Sequence, residues 1–403
     1  MQSFGVQGIF DNEDALREDY TPDELPEREE ELERIHNALA PASRGSTAHN
    51  IFLYGKTGQG KTVAARKKTR QLESWSAAEG DIDISVVWQS CNNITSSYAL
   101  ATTLVEKLSG DNPNGHSQEQ VFAQLYDEVE QIGGSVIFVL DEIDNLGTSD
   151  DVLYALPRAR SEGHLRDARV SVIGISNDFN YVSNLSPKVK GTLCEKEVEF
   201  APYKADALRS ILQRRVDVAF EDEVVQGGVV PLCAALAARE EGSARQAIRL
   251  LYEAGELALT ANDEAVTEDH VKRAHDVLSR ERVVEGLRNV TLHDRMAITA
   301  VTHLECTEET PARTKHIYEQ YRSICDEVEL DPLRQRSLRD HLQELAMQGI
   351  LEATHRTSGL QGGDYYEFEL NTDLGMTVDV LAENTRLSEA GVADSLRMLY
   401  GGR

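Results

Sequence analysis

The sequence predicts an α/β protein: a parallel sheet with helical crossovers, then an all-helical segment, then three helices closed by a β-hairpin. Three observations carry this. Residues 50–54 (NIFLY), 85–88 (SVVW), 135–140 (SVIFVL) and 170–175 (VSVIGI) are short apolar runs rich in β-branched residues, separated by stretches of helical periodicity. A phosphate-loop pattern, GxxxxGKT, begins at Gly55 directly after the first run. From Tyr203 the runs stop and apolar residues recur at helical spacing instead.

Residues 11–33 hold twelve acids but only Arg17 and Arg28, and around Leu25 and Pro26 they read as an extended lead-in to a helix over 27–39. The four apolar runs that follow lack polar alternation, as expected of strands covered on both faces of a parallel sheet. Residues 1 to about 200 therefore make one α/β domain. Segments 204–220, 229–239, 243–260 and 267–282 place apolar residues at helical spacing with polar breaks between, which predicts a small helical domain. After about residue 289 come helices near 292–304, 312–327 and 333–348, a strand over 350–355, a Gly-rich turn (SGLQGG) and the alternating strand 365–370. That order is the order of a winged helix-turn-helix.

A chain of 403 residues has room for two or three domains. Its 69 Asp and Glu against 41 Lys and Arg give a formal charge of −28, yet 40% of residues are hydrophobic, so it is an acidic globular protein and not a disordered one. Only 11 of the basic residues are Lys. A spread acid excess with scarce Lys suits molar salt, where repulsion is screened within a few Å. An ordinary acidic cytosolic protein is the plainer reading of the same numbers. The five cysteines form no CxxC pair, so neither a zinc site nor a disulfide framework is indicated. The N-terminus turns acidic where a signal peptide is apolar, and no apolar run approaches the ~20 residues of a membrane span. The expectation is a soluble, cytoplasmic protein without a membrane partner.

The loop Gly55-Lys-Thr-Gly58-Gln59-Gly60-Lys61-Thr62 sits between a strand and a helical stretch from Val63, the context a phosphate site requires. Its glycines let the backbone wrap close to an anion, Lys61 reaches β/γ oxygens, and the Thr62 hydroxyl ligates Mg²⁺. The third run ends in Asp141-Glu142, two carboxylates at the carboxyl end of a buried strand, where open α/β sheets bind ligands. Asp141 is assigned to Mg²⁺ and Glu142 to orienting and deprotonating the attacking water. The fourth run ends at Asn177, whose amide either contacts that water or caps the turn ahead of Asp178. Arg245 lies two residues beyond Ser243, an expected N-cap, and either reaches the phosphates from the helical domain or is solvated beside Arg249.

Together these residues resemble the AAA+ ATPases, and within them the archaeal replication initiators related to origin recognition complex subunits and the cell-division-control helicase loader. The resemblance spans essentially the whole chain. Asp19-Tyr20-x-Pro22-x-x-Leu25-Pro26-x-Arg28-Glu29 is similar to the family's adenine-side segment, Leu140 to Asp144 to its acidic strand end, Ile175-Ser176-Asn177 to sensor 1, and Gly242-Ser-Ala-Arg245-x-Ala247 to the sensor 2 helix. The implied architecture is an AAA+ base over 1–201, a helical lid over 202–286 and a winged-helix domain over 287–403. The implied cofactors are ATP/ADP and Mg²⁺, with Tyr20, Leu25, Pro26, Arg28, Val63 and Tyr203 joining the loop around the nucleotide.

By the same resemblance, residues 92–109 correspond to an initiator-specific helical insertion that touches DNA in relatives, here with little basic charge besides Lys107. Pro332 to Ser337, leading into Leu345-x-x-x-Gly349-Ile350, is similar to the family's recognition helix. Arg334, Gln335, Arg336 and Arg339 fall in its first turns and Arg356 beside the wing tip, as direct contacts to bases or phosphates, or as a solvated face. Two departures stand out. Lys188 occupies the segment after sensor 1 where the family usually carries Arg, and it offers a point charge and no bidentate fork. The wing tip is only weakly basic. The implied function is an ATP-dependent initiator that binds double-stranded origin DNA and helps recruit the replicative helicase. Hydrolysis is slow and acts as a switch, and copies of the chain assemble on nucleoid DNA. The alternative is an ATP-gated DNA-binding regulator, a diverged paralogue that loads no helicase.

Overall fold

The computed structural model describes residues 8–17, 20–22, 24–79, 82–147, 149–179, 181, 185–357 and 364–402. The chain divides into two compact units, one ending at Ala274 and one beginning at His275.

The first unit is built on five parallel strands: β1 (Ile51–Tyr54), β2 (Ile84–Ser90), β3 (Ser135–Asp141), β4 (Arg169–Ser176) and β5 (Lys196–Glu199). Their order is β2-β3-β4-β1-β5. The pleat explains the unbroken apolar runs. Along β3, Val136, Phe138 and Leu140 enter one core while Ile137 and Val139 enter the other, and all five are at most 1% exposed. Helices α1 (Glu29–Leu39) and α2 (Lys61–Glu79) cover the second face through Ile35, Leu39, Ala64 and Ala65. Helices Ser97–Ser109, Gln118–Ile132 and Asp151–Arg158 cover the first.

β5 has no counterpart among the runs the sequence shows. Its residues are Lys-Glu-Val-Glu, only Val198 is buried, and the strand is held at the sheet edge by pairing with β1. Four helices follow: Ala205–Ala219, Val229–Glu240, Ala244–Ala261 and Glu268–Asn289, the last carrying the chain into the second unit. The last of these outruns the expected 267–282 by a full two turns.

The N-terminal segment reaches this helical layer before it reaches the sheet. Phe10 pairs with Phe220 in an antiparallel bridge, and their ring centroids lie 4.9 Å apart. Asp11 N–H donates to the Ala219 carbonyl at 2.9 Å, the Arg215 guanidinium to the Ala15 carbonyl at 2.9 Å, and the Tyr252 hydroxyl to Glu13 at 3.0 Å. A Cβ on Gly255 would come within 2.4 Å of the Phe10 ring, so glycine makes the groove the ring occupies. Residues from Leu25 onward belong to the core beneath the sheet.

The second unit begins its compact part with helices Leu292–Cys306, Thr314–Glu327 and Gln335–Met347. β6 (Ala312–Arg313), β7 (Leu351–Thr357) and β8 (Asp364–Leu370) form an antiparallel sheet of order β6-β8-β7. The Gly-rich turn over 358–363 lies outside the described residues. Beyond β8 the chain adds helices Leu374–Ala382, Thr385–Glu389 and Val392–Gly401, which the sequence reading did not foresee. Val378, Leu381, Leu387 and Leu396 of these helices join Tyr321 and Phe368 in one core. No helix among the described residues is long and apolar enough to cross a membrane.

If the Phe10 ring anchors residues 8–17, Phe10→Ala removes about 2 kcal/mol of packing and raises the population of the detached segment roughly thirtyfold. Trypsin cleavage after Arg17 is expected to accelerate accordingly. An unchanged cleavage rate would show that the backbone bonds alone hold the segment.

Candidate nucleotide site and nucleic-acid interface

The loop after β1 needs its glycines for space as much as for dihedral freedom. Gly55 approaches the Phe200 carbonyl so closely that a Cβ would lie 2.4 Å from it. At Gly58, φ is 75° and a Cβ would stand 2.0 Å from the Ser243 hydroxyl. Lys61 opens α2 and is 4% exposed, its Nζ donating to the carbonyls of Gly55 and Lys56 at 2.7 Å each. Burial pushes the Lys61 ammonium down to about 8, against the pull of Asp141 and Asp144. Two loop carbonyls thus hold a desolvated cation at the N-terminus of a helix, where an anion gains from both the cation and the free N–H groups.

Asp141 closes β3. It accepts from the Thr62 hydroxyl at 2.8 Å and from the Glu142 N–H at 3.0 Å, and burial pushes its carboxyl above the usual range. The 2.8 Å between these two oxygens matches the edge of an octahedron with Mg–O bonds of 2.0–2.1 Å, about 2.9 Å. Thr62 and Asp141 therefore fit a Mg²⁺ site in both spacing and hardness. Glu142 adopts the left-handed conformation, φ 59° and ψ 42°, and its Oε2 accepts from the Ser90 hydroxyl at 3.3 Å. Asn177 follows β4, its N–H donating to Asp144 at 3.2 Å.

The opposite wall comes from the helical layer. Ser243 is the N-cap of the helix Ala244–Ala261, its hydroxyl accepting from Gln246 N–H. Ala244 N–H donates to the Gly58 carbonyl at 3.0 Å, and Arg245 donates to the Thr57 hydroxyl at 3.3 Å. Between these walls lies a cavity of 1010 Å³. Gly58, Gln59, Gly60, Lys61, Thr62 and Val63 line it together with Asp141, Glu142, Asn177 and Arg245; Tyr20, Leu25, Pro26 and Tyr203 complete it.

Arg28, expected at the nucleotide, is the one such residue that does not line the cavity. It is 5% exposed and lies behind the loop, donating to the Gln59 carbonyl at 3.2 Å, the Ala201 carbonyl at 2.5 Å and Glu31 at 2.7 Å. Its guanidinium stacks 3.9 Å from the Tyr203 ring centroid. A buried guanidinium needs its donors met, and the Gln59 and Ala201 carbonyls and Glu31 meet them here. Arg215 is a wall residue the sequence reading missed. Its guanidinium lies 4.4 Å from the Tyr20 ring centroid, on a helix whose Ile211, Arg214 and Val218 also face the cavity. The spacing of those four residues marks one helix face, but not what the face meets.

In the second unit Arg334, Gln335, Arg336 and Arg339 are exposed. Arg334 is the N-cap and not a residue of the helix, because its backbone is extended, φ −69° and ψ 149°; the Leu333 N–H before it donates to the Tyr321 hydroxyl at 3.2 Å. Arg339 pairs with Asp340 at 3.6 Å. Arg356, on β7, donates to Glu367 at 3.2 Å, and Arg313 approaches the same carboxylate at 3.7 Å. Within residues 92–109, the helix Ser97–Ser109 buries Leu100, Leu104 and Val105, and the Lys107 ammonium turns onto the Trp88 carbonyl. Lys188 is exposed on the helix Pro187–Leu193, and Asp19 lies outside the described residues.

Family models place this geometry. An AAA domain matches residues 43–177, a Cdc6 AAA+ ATPase-type lid domain 209–276, and a CDC6 C-terminal winged helix domain 285–380. The chain is 46% identical to ORC1-type DNA replication protein 15 of Haloarcula marismortui over 95% of its own length and 94% of that protein's. The chain belongs to the ORC1-type DNA replication protein family. ORC1-type DNA replication protein 10 of Halobacterium salinarum is 45% identical over 94% of this chain and 92% of its own. Among solved structures, the Aeropyrum pernix ORC1 protein in complex with DNA is 36% identical with a TM-score of 0.81, covering 94% of this chain and 98% of that one. The five-stranded parallel sheet, the lid and the winged helix are thus those of an ORC1-type AAA+ protein.

The contact between Gly58 and Ser243 gives a direct test of how loop and lid meet. Gly58→Ala is expected to weaken binding of a fluorescent ATP analogue at least tenfold, about 1.4 kcal/mol, from left-handed strain plus loss of the Ser243 cap. Adding Ser243→Gly, which costs a cap only a few tenths of a kcal/mol, should recover much of the loss. Equal binding by the single and double variants would show that the clash does not govern the site.

Proposed function

We propose that this chain is an ATP-dependent DNA replication initiator that binds double-stranded origin DNA and helps recruit the replicative helicase, with hydrolysis acting as a switch. The observation that carries the reading is the convergence of loop, acidic strand end and lid arginine on one cavity in an ORC1-type protein. The likeness to a relative solved with DNA supports the same partner here. On this reading residues 1–201 are the base, 202–286 the lid and 287–403 the DNA-binding domain, and the protein works in the cytoplasm on the nucleoid, where copies assemble on DNA.

Phosphate oxygens of ATP or ADP take the place at Lys61 Nζ now filled by the Gly55 and Lys56 carbonyls. Bound Mg²⁺ supplies charge neutralisation on the phosphates, held by Thr62 and Asp141. Glu142 takes the proton of the attacking water and Asn177 orients that water from the neighbouring strand end. Arg245 already touches Thr57 of the loop, so a phosphate beside it adds a charged tie between lid and base to the bonds at Thr57 and Gly58. Tyr20, Leu25, Pro26 and Tyr203 supply the apolar end for the base of the nucleotide. Lys188 cannot fork onto a phosphate, which favours slow turnover.

A second reading, an ATP-gated regulator that loads no helicase, is favoured by Lys188 and by the Glu367 carboxylate that ties up Arg356. A chromatin map separates the two. Sites at one or a few replication start regions, lost in an Arg336→Ala, Arg339→Ala chain, are the expected result; scattered promoter sites overturn the initiator. For the site itself, Glu142→Gln is expected to lower ATP hydrolysis by about a hundredfold or more while ATP binding persists. Hydrolysis at the unsubstituted rate would remove Glu142 from the reaction.

A further inference from the structure

We propose that His293 and Asp294, consecutive residues at the start of the helix Leu292–Cys306, are positioning residues for the recognition helix Gln335–Met347, with His341 as the latch. This rests on the reading of the winged helix as the DNA-binding element.

Asp294 has two tasks, one per oxygen. Oδ2 accepts from the Thr291 N–H at 3.2 Å and from its hydroxyl at 2.5 Å, closing a capping box on its own helix. Oδ1 accepts from His341 Nδ1 at 2.6 Å. Asp294 is 8% exposed and the bond to His341 is partly buried, where a hydrogen bond to a carboxylate counts for more than in open water. A helix cap needs no histidine from another helix. The His341 bond is therefore surplus to capping, and what it fixes is the middle of the recognition helix.

His293 secures the other end. Its Nδ1 pairs with the Tyr321 hydroxyl at 2.7 Å, and that hydroxyl accepts the Leu333 N–H at 3.2 Å. Leu333 is the residue before the N-cap Arg334, so this second prong holds the chain as it enters the helix. Tyr321 is fully buried, and an unmet polar group there is costly.

The prongs supply what the core cannot. Leu338, Leu342 and Leu345 bury the inner face of the helix and set its depth, but apolar contact is non-directional and resists sliding and rotation weakly. His341 lies roughly 140° around the helix from Arg336 and roughly 160° from Arg339, on the side away from the exposed arginines. Hydrogen bonds at that face fix the angle at which the arginines leave the opposite one. Base contacts demand placement within about 0.5 Å, and phosphate contacts tolerate more. Losing a prong should thus degrade sequence discrimination more than general affinity.

The test uses the full chain in high salt, with a duplex selected by the unsubstituted protein from a randomised pool and a random duplex of equal length. His341→Leu is expected to reduce the ratio of the two affinities about tenfold while random-duplex binding stays within about twofold. His341→Asn, whose amide N–H can replace Nδ1–H, should restore most of the ratio, which a merely structural role would not predict. An unchanged ratio in a folded His341→Leu chain, or an Asn variant no better than Leu, overturns the proposal. Should the Leu variant unfold, Tyr321→Phe removes one oxygen of the other prong, and an unchanged ratio there overturns it equally. If the unsubstituted protein selects no duplex, the DNA-binding reading fails first and this inference with it.

Discussion

A buried ammonium sets the terms for the first unit. Lys61 is 4% exposed and satisfied by carbonyls of the very loop that precedes it, so the loop must curl back on itself without side chains in the way. That requirement puts glycine at 55, 58 and 60. It also requires a strand before the loop and a helix after it, because the carbonyls must be held on one side and the helix N-terminus on the other. The carboxylates of Asp141 and Asp144 then have to lie near enough to compensate the cation, which places β3 two positions away from β1 in the sheet with β4 between. Asp141 in turn is desolvated and leans on Thr62. Charge, sheet order and loop sequence are one arrangement.

The loop so formed is gripped from two directions. Arg28 holds Gln59 from the sheet side, and Ala244 and Arg245 meet Gly58 and Thr57 from the lid. Neighbouring loop residues therefore belong to different neighbours. The N-terminal segment adds a second connection between the same bodies, since Phe10 sits on the helical layer and Leu25 in the sheet core. Tyr20, on the path between them, reaches the cavity wall and stacks with Arg215. Three contacts thus join the cavity wall to the lid: the loop, the lid helix cap and this strap.

Much of this was legible because burial on both faces writes itself into sequence. The runs at β1 to β4 are nearly continuously apolar because each pleat face meets its own core, most completely along β3, and the loop motif carries its own chemistry. Position in space was less legible. β5 offers one buried Val among three charged residues, so only its pairing with β1 reveals it. The helices after residue 374 were missed because their apolar residues complete a core begun some fifty residues earlier, around Tyr321. Arg28 bonds the loop at Gln59 without lining the cavity, because a motif records proximity and not direction. Arg334 is the N-cap and not the first turn, since its extended backbone is a one-residue boundary detail that apolar spacing does not fix.

Charge gives the winged helix its particular problem. Residues 285–403 carry 12 Lys and Arg against 21 Asp and Glu, so as a whole this segment repels phosphate. Dilute salt leaves the repulsion unscreened; molar salt screens it but also weakens the counterion release that gives most DNA-binding proteins their affinity. Under either condition, nonspecific attraction is a poor source of binding for this surface. The remaining source is directional contact from a few exposed side chains, and directional contacts are only as good as the placement of the helix that bears them. On the proposed reading, a helix Gln335–Met347 held by partly buried hydrogen bonds at its entry and its middle answers that demand. A more basic domain could tolerate a looser helix, because charge alone would keep it on the duplex.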